Sequence, residues 1–388
     1  MVDKVLIYGA GGFSGRLLAR CAARAWGDGR RFQLLLGGRR ADTLAPLATE
    51  LGLPVRVFAL DDAAAVAKAL AEPGLTTVVN AAGPFAWTGL PLARAAVLAG
   101  RHYVDINGEA DVYQRMDDLG YVAAQAGVAL VAGAGHSATT SDLMLERALT
   151  EMAAAGRHEV GTIRIAFSHV KYVSQGSAQT AWRSVREQVM VMRGRPGSTE
   201  LQIHRVPMGQ VERTFDFGRR RIASACNLLD LLTARLTAQR HLERGALQRV
   251  RAIEAYIEMP EGARVFVQLG TLAAPMLALP GMRQLVQAQV AMLPEGPDER
   301  ERAEDRHVVL LEMDDGFGTR CVDWLMETPD PYEFTADCVL GVVDGLQRRP
   351  LAGWRTPAEL FDVAQTFDHP GQGLWRDCVY TRRRSPAP

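Results

Sequence analysis

The chain of 388 residues has almost no lysine: of its 44 basic side chains only Lys4, Lys68 and Lys171 are not arginine. It also lacks an excess of either charge, since 44 acidic side chains balance the 44 basic ones. A general nucleic-acid binder would carry a basic surplus, so no nucleic-acid partner is expected. The five cysteines, Cys21, Cys226, Cys321, Cys338 and Cys378, are scattered and show no CxxC spacing. They fit neither a disulfide framework nor a zinc site, and a reducing compartment suits them better. No apolar run approaches the roughly 20 residues of a spanning helix. The first residues read as a buried strand, not as a secretory leader. The expectation is therefore a cytoplasmic protein without a membrane span. HExxH and similar metal spacings are missing, so no metal site is expected. A Gly-x-Ser-x-Gly elbow is missing too, which leaves ester hydrolysis unsupported.

What is present is a globular composition, 48% hydrophobic and 23% charged, at a length that suits two or three domains. Short aliphatic runs near 4–8, 32–37, 55–59, 76–80, 102–106 and 128–132 alternate with Ala/Leu/Arg-rich stretches of helical spacing. Strands apolar on both faces, separated by amphipathic helices, predict an α/β fold with a Rossmann-type, doubly wound parallel sheet over residues 1–140. After Ala148 the strand candidates are longer and more polar: Gly161 to His169, Glu200 to Arg205 and Arg306 to Met313. Such strands have one wet face, so 141–330 is expected to be an α+β domain with a mainly antiparallel sheet. Helices are expected over 178–193, 223–239 and 281–293, and helical texture returns in the last 50 residues. There Thr356-Pro357-Ala358-Glu359 has the form of a helix start. The apolar stretch 269–293, broken by Pro275, Pro280 and Arg283, reads as a kinked core helix or a dimer contact rather than a lid or a lipid-facing surface, and a homodimer is expected.

The first strand runs into Gly9-Ala10-Gly11-Gly12-Phe13-Ser14-Gly15, and a helix follows at once. Glycine at 9 permits a tight turn, glycine at 11 or 12 lets the backbone approach a pyrophosphate, and glycine at 15 lets helix and strand pack closely. The N–H groups of the helix then face the phosphates. The second strand ends in Leu36-Gly37-Gly38-Arg39-Arg40, where an NAD site would place an acid on the ribose. A carboxylate there would repel a 2′-phosphate, whereas a guanidinium grips one, so NADP(H) is expected with Arg39 and Arg40 as its ligands. The fourth strand ends in Asn80-Ala81-Ala82-Gly83-Pro84-Phe85, whose small residues leave room for the nicotinamide half. The fifth ends in Asp105-Ile106-Asn107-Gly108-Glu109, where Asp105 either faces the site or caps the next helix.

Tyr8-Gly9-Ala10-Gly11-Gly12-Phe13-Ser14-Gly15-Arg16, Gly38-Arg39 and Asn80-Ala81-Ala82-Gly83-Pro84-Phe85 together resemble the saccharopine dehydrogenase-like oxidoreductases. His102-Tyr103-Val104-Asp105 with Gly108-Glu109 is similar to the family's tyrosine–valine–aspartate stretch. Ala134-Gly135-His136-Ser137 with Ser141-Asp142 is similar to its junction motif, with His136 where an aromatic and an acid are commoner. Ser174-Gln175-Gly176-Ser177-Ala178 looks like its second-domain loop, and Asp330-Pro331-Tyr332 and Thr356-Pro357-Ala358 match its C-terminal features. The loop is closer to the trans-acting enoyl reductase-like branch than to saccharopine reductases proper. The resemblance implies hydride transfer from a reduced nicotinamide, and C-terminal helices (331–388) folded back to complete the first domain.

Reducing a polarised double bond also takes a proton. Lys171, the only lysine of the second domain, lies beside Tyr172 at a strand end, and a lysine can release a proton where an arginine cannot. His136 ends the sixth strand's glycine-rich turn and titrates in the useful range. Tyr103 and Asp105 complete the candidate catalytic set. The reading is an NADPH-dependent reductase acting on a C=C (enoyl) or C=N (imine) bond of a small or medium organic substrate. The alternatives are an amino-acid or opine-type dehydrogenase and a non-catalytic NADP-binding sensor or scaffold.

Overall fold

The computed structural model describes residues 2–27, 29–116, 118–184, 188–195, 200–262, 264, 288–369 and 371–386. The chain divides into two units, Met1–Thr139 with Pro331–Asp362, and Thr140–Asp330 with Val363–Pro388. In chain order the strands are β1 (Asp3–Tyr8), β2 (Phe32–Gly38), β3 (Val55–Val57), β4 (Leu75–Asn80), β5 (His102–Asp105), β6 (Ala129–Val131), β7 (Glu159–Phe167) and β8 (Gln188–Gly194). There follow β9 (Leu201–Pro207), β10 (Glu212–Asp216), β11 (Arg220–Ala225), β12 (Arg249–Glu258), β13 (His307–Asp315), β14 (Arg320–Thr328), β15 (Gly353–Arg355) and β16 (Val379–Arg384).

The first unit is a seven-stranded sheet in the order β15-β6-β5-β4-β1-β2-β3, with every neighbouring pair parallel. Strand order reverses between β1 and β4, which opens the crevice where doubly wound sheets take their ligands. The helices α1 (Phe13–Trp26), α2 (Ala41–Leu51), α3 (Ala63–Leu70) and α4 (Phe85–Leu98) make the crossovers. Leu17, Leu18, Ala19, Cys21 and Ala22 form the buried stripe of α1, at the spacing that aims one helix face at the sheet. Leu6, Leu75, Val78, Leu92, Tyr103 and Leu130 belong to the core on one side of that sheet. The helix Pro331–Arg348 packs on α1, with the Phe13 and Tyr332 rings edge to face at 5.2 Å.

The second unit is a nine-stranded sheet whose main path is β10-β11-β12-β7-β13-β14-β16, with β8 pairing β12 and β9. Only β12 and β7 run parallel; the other pairs are antiparallel. Ala166, Phe215, Tyr256 and Leu310 form part of its core.

Several expectations from the sequence are corrected here. The helix expected over 178–193 is Gln175–Ser184, and the run Val189-Met190-Val191-Met192 is buried in β8 instead. Asn227 pins that strand, accepting from the Met190 N–H and donating to the Gln188 carbonyl. The helix expected over 223–239 begins at Asp230, because Ala223–Ala225 complete β11 against β12. The stretch 269–293 lies outside the described residues up to 287. Thr356 and Glu359 do make a capping box, but on the four-residue 3-10 helix Pro357–Leu360. The last 50 residues are not helical throughout: β15 joins the first sheet beside β6, and β16 joins the second beside β14. Residues 363–388 therefore belong to the second unit and do not complete the first. The physical reason is pairing, since a strand edge on β14 satisfies backbone groups that helical packing on the first unit would not.

Candidate nucleotide site and the rim of the first sheet

The loop between β1 and α1 is held by its own backbone. The Gly9 and Ala10 N–H groups donate to the Gly37 carbonyl, and the Gly12 N–H donates to the Gly9 carbonyl. Gly9 has φ of 89°, and a side chain there would come within 2.6 Å of the Ala82 nitrogen. A Cβ at Gly15 would lie 2.1 Å from the Gly9 carbonyl oxygen, and one at Gly11 would lie 2.7 Å from Thr43 Oγ1. These three glycines are required by protein packing.

Gly12 and Gly83 are different. Both are exposed and neither has a positive φ. A Cβ at Gly83 would meet nothing within 4 Å, and one at Gly12 only the Gly9 carbonyl at 3.4 Å. The fold makes no demand for glycine at either place, and the backbone there is left open to solvent. Gly12 is also the N-cap of α1, which has no side-chain cap and no acid in its first turn. Such a helix start suits a phosphate. The residues present thus fit a dinucleotide.

The two arginines of β2's end differ in state. Arg40 is exposed and held by Asp42, with Nε 3.0 Å from Oδ1 and Nη2 on Oδ2. Its own strand-to-helix turn therefore occupies the fork. Arg39 is exposed beside it. Phe13 packs on Tyr332, and Phe85, the first residue of α4, packs half-buried against the core.

At the other side of the crevice, the ends of β4 and β5 carry a buried polar chain. Asn80 Nδ2 donates to the Tyr103 hydroxyl at 3.0 Å, and Tyr103 donates to Asp105 Oδ2 at 3.0 Å. Asp105 Oδ1 accepts from the Asn107 N–H at 3.0 Å and the Gly133 N–H at 2.9 Å. Asn80 Oδ1 accepts from the Ala82 N–H, and Thr88 bonds the Ala82 carbonyl. Asn80, Tyr103 and Asp105 are wholly buried. Burial pushes the Asp105 carboxyl up to about 6, against the pull of the Gly133, Asn107 and Tyr103 donors. Burial, with the Asp105 charge adding to it, raises Tyr103 well above the ordinary phenol range. Asp105 is not a helix cap: Glu109 precedes the short helix Ala110–Gln114.

His136 is buried at the start of the helix His136–Ala154, its N–H donating to Thr335 Oγ1 and its ring edge-on to Phe334. Lys171, in the second unit, is exposed with its ammonium 4.6 Å from the Tyr172 ring centroid. The hydrogen bond to Tyr172 raises its pKa, opposite to the lowering that proton release near neutrality needs. Sequence reasoning missed Asn107, whose side chain ties the Glu109 backbone at both N–H and C=O. Trp87, which the sequence did not single out, is 66% exposed in the first turn of α4, after the run of small residues.

Residues 5–131 match the profile of the saccharopine dehydrogenase NADP-binding domain. That match covers about a third of the chain and lies within the first unit. The match supports NADP(H) as the cofactor. Two curated relatives extend the likeness. A putative trans-acting enoyl reductase of Mycobacterium tuberculosis is 33% identical over 144 residues, covering 36% of this chain and 33% of the relative. A trans-acting enoyl reductase of Mycobacterium ulcerans is 29% identical over 190 residues, covering 47% of this chain and 44% of the relative. The matched parts thus span less than half of either relative. The apo saccharopine dehydrogenase (L-Glu forming) of Saccharomyces cerevisiae shares the fold over 98% of this chain and 99% of its own, with TM-score 0.59 and 11% identity. No described helix is long and apolar enough to cross a membrane. No group of three or more His, Cys, Asp and Glu among the described residues could hold a metal ion.

Proposed function

We propose that the chain is an NADPH-dependent reductase whose acceptor is a polarised C=C bond of the enoyl type in a small or medium organic substrate. The bare rim at Gly12 and Gly83 carries the reading, because these glycines have no packing reason to be there. The names of the curated relatives favour C=C over C=N. The α1 N–H groups receive the pyrophosphate. Arg39 grips the 2′-phosphate, while Arg40, tied to Asp42, screens the same edge. The bound cofactor supplies the hydride. Ala81, Ala82, Gly83 and Pro84 leave space on the nicotinamide side, and Trp87 offers the substrate an apolar face. His136 supplies or orients the proton. Lys171 keeps its own proton at neutral pH and is not the proton donor.

The test is a fluorescence titration with NADPH and NADH. NADPH should bind at micromolar to tens of micromolar concentration, and Arg39→Ala should weaken it at least tenfold, about 1.4 kcal/mol, while NADH is unchanged. No binding of NADPH in that range, with no effect of Arg39→Ala, would sink the reading.

A further inference from the structure

Asp105 holds a charge that the fold leaves without a counter-ion. The groups facing it are Tyr103 on its own strand, Asn80 on β4, the Asn107 N–H and Glu109 after β5, and the Gly133 N–H after β6. Glu109 has the same sign, and no Lys, Arg or His among the described residues pairs with Asp105. Three neutral donors on one carboxylate favour its charged form but do not cancel the charge.

Its place in the sheet gives that charge a direction of action. Asp105 is the register partner of Asn80, and Asn80 is the partner of Tyr8, which precedes Gly9. The three residues are the last of their strands, so Asp105 stands two strands, about 10 Å, from the glycine loop. It lies on the side away from β2 and Arg39, where the nicotinamide half belongs. The oxidised nicotinamide ring is a cation and the reduced ring is neutral.

We propose that Asp105 is an electrostatic positioning residue of the cofactor site, whose buried charge favours the oxidised coenzyme over the reduced one. This rests on the cofactor reading above. A single charge at that range, at an effective dielectric of about 20, shifts the preference by about tenfold. Protonation of Asp105 removes the preference, and coupling is reciprocal. Because burial places the carboxyl at about 6, the change falls in a measurable range, while Tyr103 stays neutral throughout.

The experiment measures the ratio of the NADP+ and NADPH dissociation constants between pH 5.5 and 8 on the whole protein. The phosphates and adenine are common to both forms, so their titration cancels in the ratio. In the wild type the ratio should be lowest above pH 7 and rise about tenfold as Asp105 protonates. Asp105→Asn should hold it flat at the acid value. Tyr103→Phe removes a donor to the charged form and should move the rise to higher pH. A wild-type ratio constant within twofold, or the same pH dependence in Asp105→Asn, overturns the inference while leaving the cofactor reading intact. Failure of both coenzyme forms to bind overturns the cofactor reading, and this inference with it. Should Asp105→Asn not fold, as circular dichroism would reveal, the direction of the Tyr103→Phe shift decides.

Discussion

At the scale of single residues, glycines that look alike along the chain sit in opposite surroundings, crowded at Gly15 and open at Gly12 and Gly83. Gly15 has no room for a Cβ, 2.1 Å from a backbone oxygen, so Gly15→Ala should abolish folding of the first unit. Gly12→Ala and Gly83→Ala should leave the melting temperature within a degree or two and weaken NADPH by tenfold or more. Melting curves and NADPH titrations on the three variants separate the two roles. Asp105 makes a related point through its charge. Its carboxyl is raised from 3.8 to about 6, so the folded state holds a proton that the unfolded chain has released. Its contribution is favourable at low pH and is lost as pH rises through 6, by about 3 kcal/mol. Relative to wild type, Asp105→Asn should therefore gain stability between pH 4 and pH 7, read from urea unfolding at each pH. A charge kept at such a cost is typical of functional positions.

Elements show the same logic in the second sheet. Where β7 leaves the sheet beside β13, His307 is buried, with Nε2 2.7 Å from the Ser168 carbonyl and its ring stacked near Phe167. The Ser168 hydroxyl in turn accepts the Val308 N–H, which fixes the departure of the chain toward Lys171. Burial depresses the imidazole from 6.5 to about 4. The unfolded chain binds the proton first, so stability present above pH 6.5 is lost as pH falls toward 4, by about 3 kcal/mol. His307→Gln keeps a donor for Ser168 and should flatten that acid limb, followed by denaturant unfolding of the second unit. The sign is opposite to that of Asp105, so each variant must be compared with wild type at the same pH. Strand β8 shows why helix expectations failed nearby: Val189 to Met192 alternate poorly for either period, and pairing with β12 and β9 decided the matter.

For the whole molecule, the decisive observation is where the chain's end goes. In β14, Trp324 is wholly buried, with Tyr380 edge-on at 5.8 Å and Arg382 4.6 Å above its ring. Ending the chain after Asp362 removes those covers and exposes the β14 edge. The second unit should lose stability by about 3 kcal/mol or more, and the shortened chain should aggregate on heating. The first unit keeps β15 and the helix Pro331–Arg348, so NADPH binding should survive. Loss of NADPH binding with an unaffected second unit would restore the domain division expected from the sequence.

Local chemistry alone determined the parallel sheet, the loop at Gly9–Gly15, the arginine in place of an acid after β2, and the small residues after β4. Each of these is written within a few consecutive residues: apolar runs buried on both faces, and glycines where backbone must approach backbone or phosphate. Only the tertiary structure decided the partner of β16, the strand character of 188–194, and the burial that tied the catalytic candidates Tyr103 and Asp105 into an internal hydrogen-bonded chain. Those outcomes depend on which edges remain to be paired and how deeply a side chain is desolvated. Both are set by residues tens to hundreds of positions away, and no local pattern encodes them.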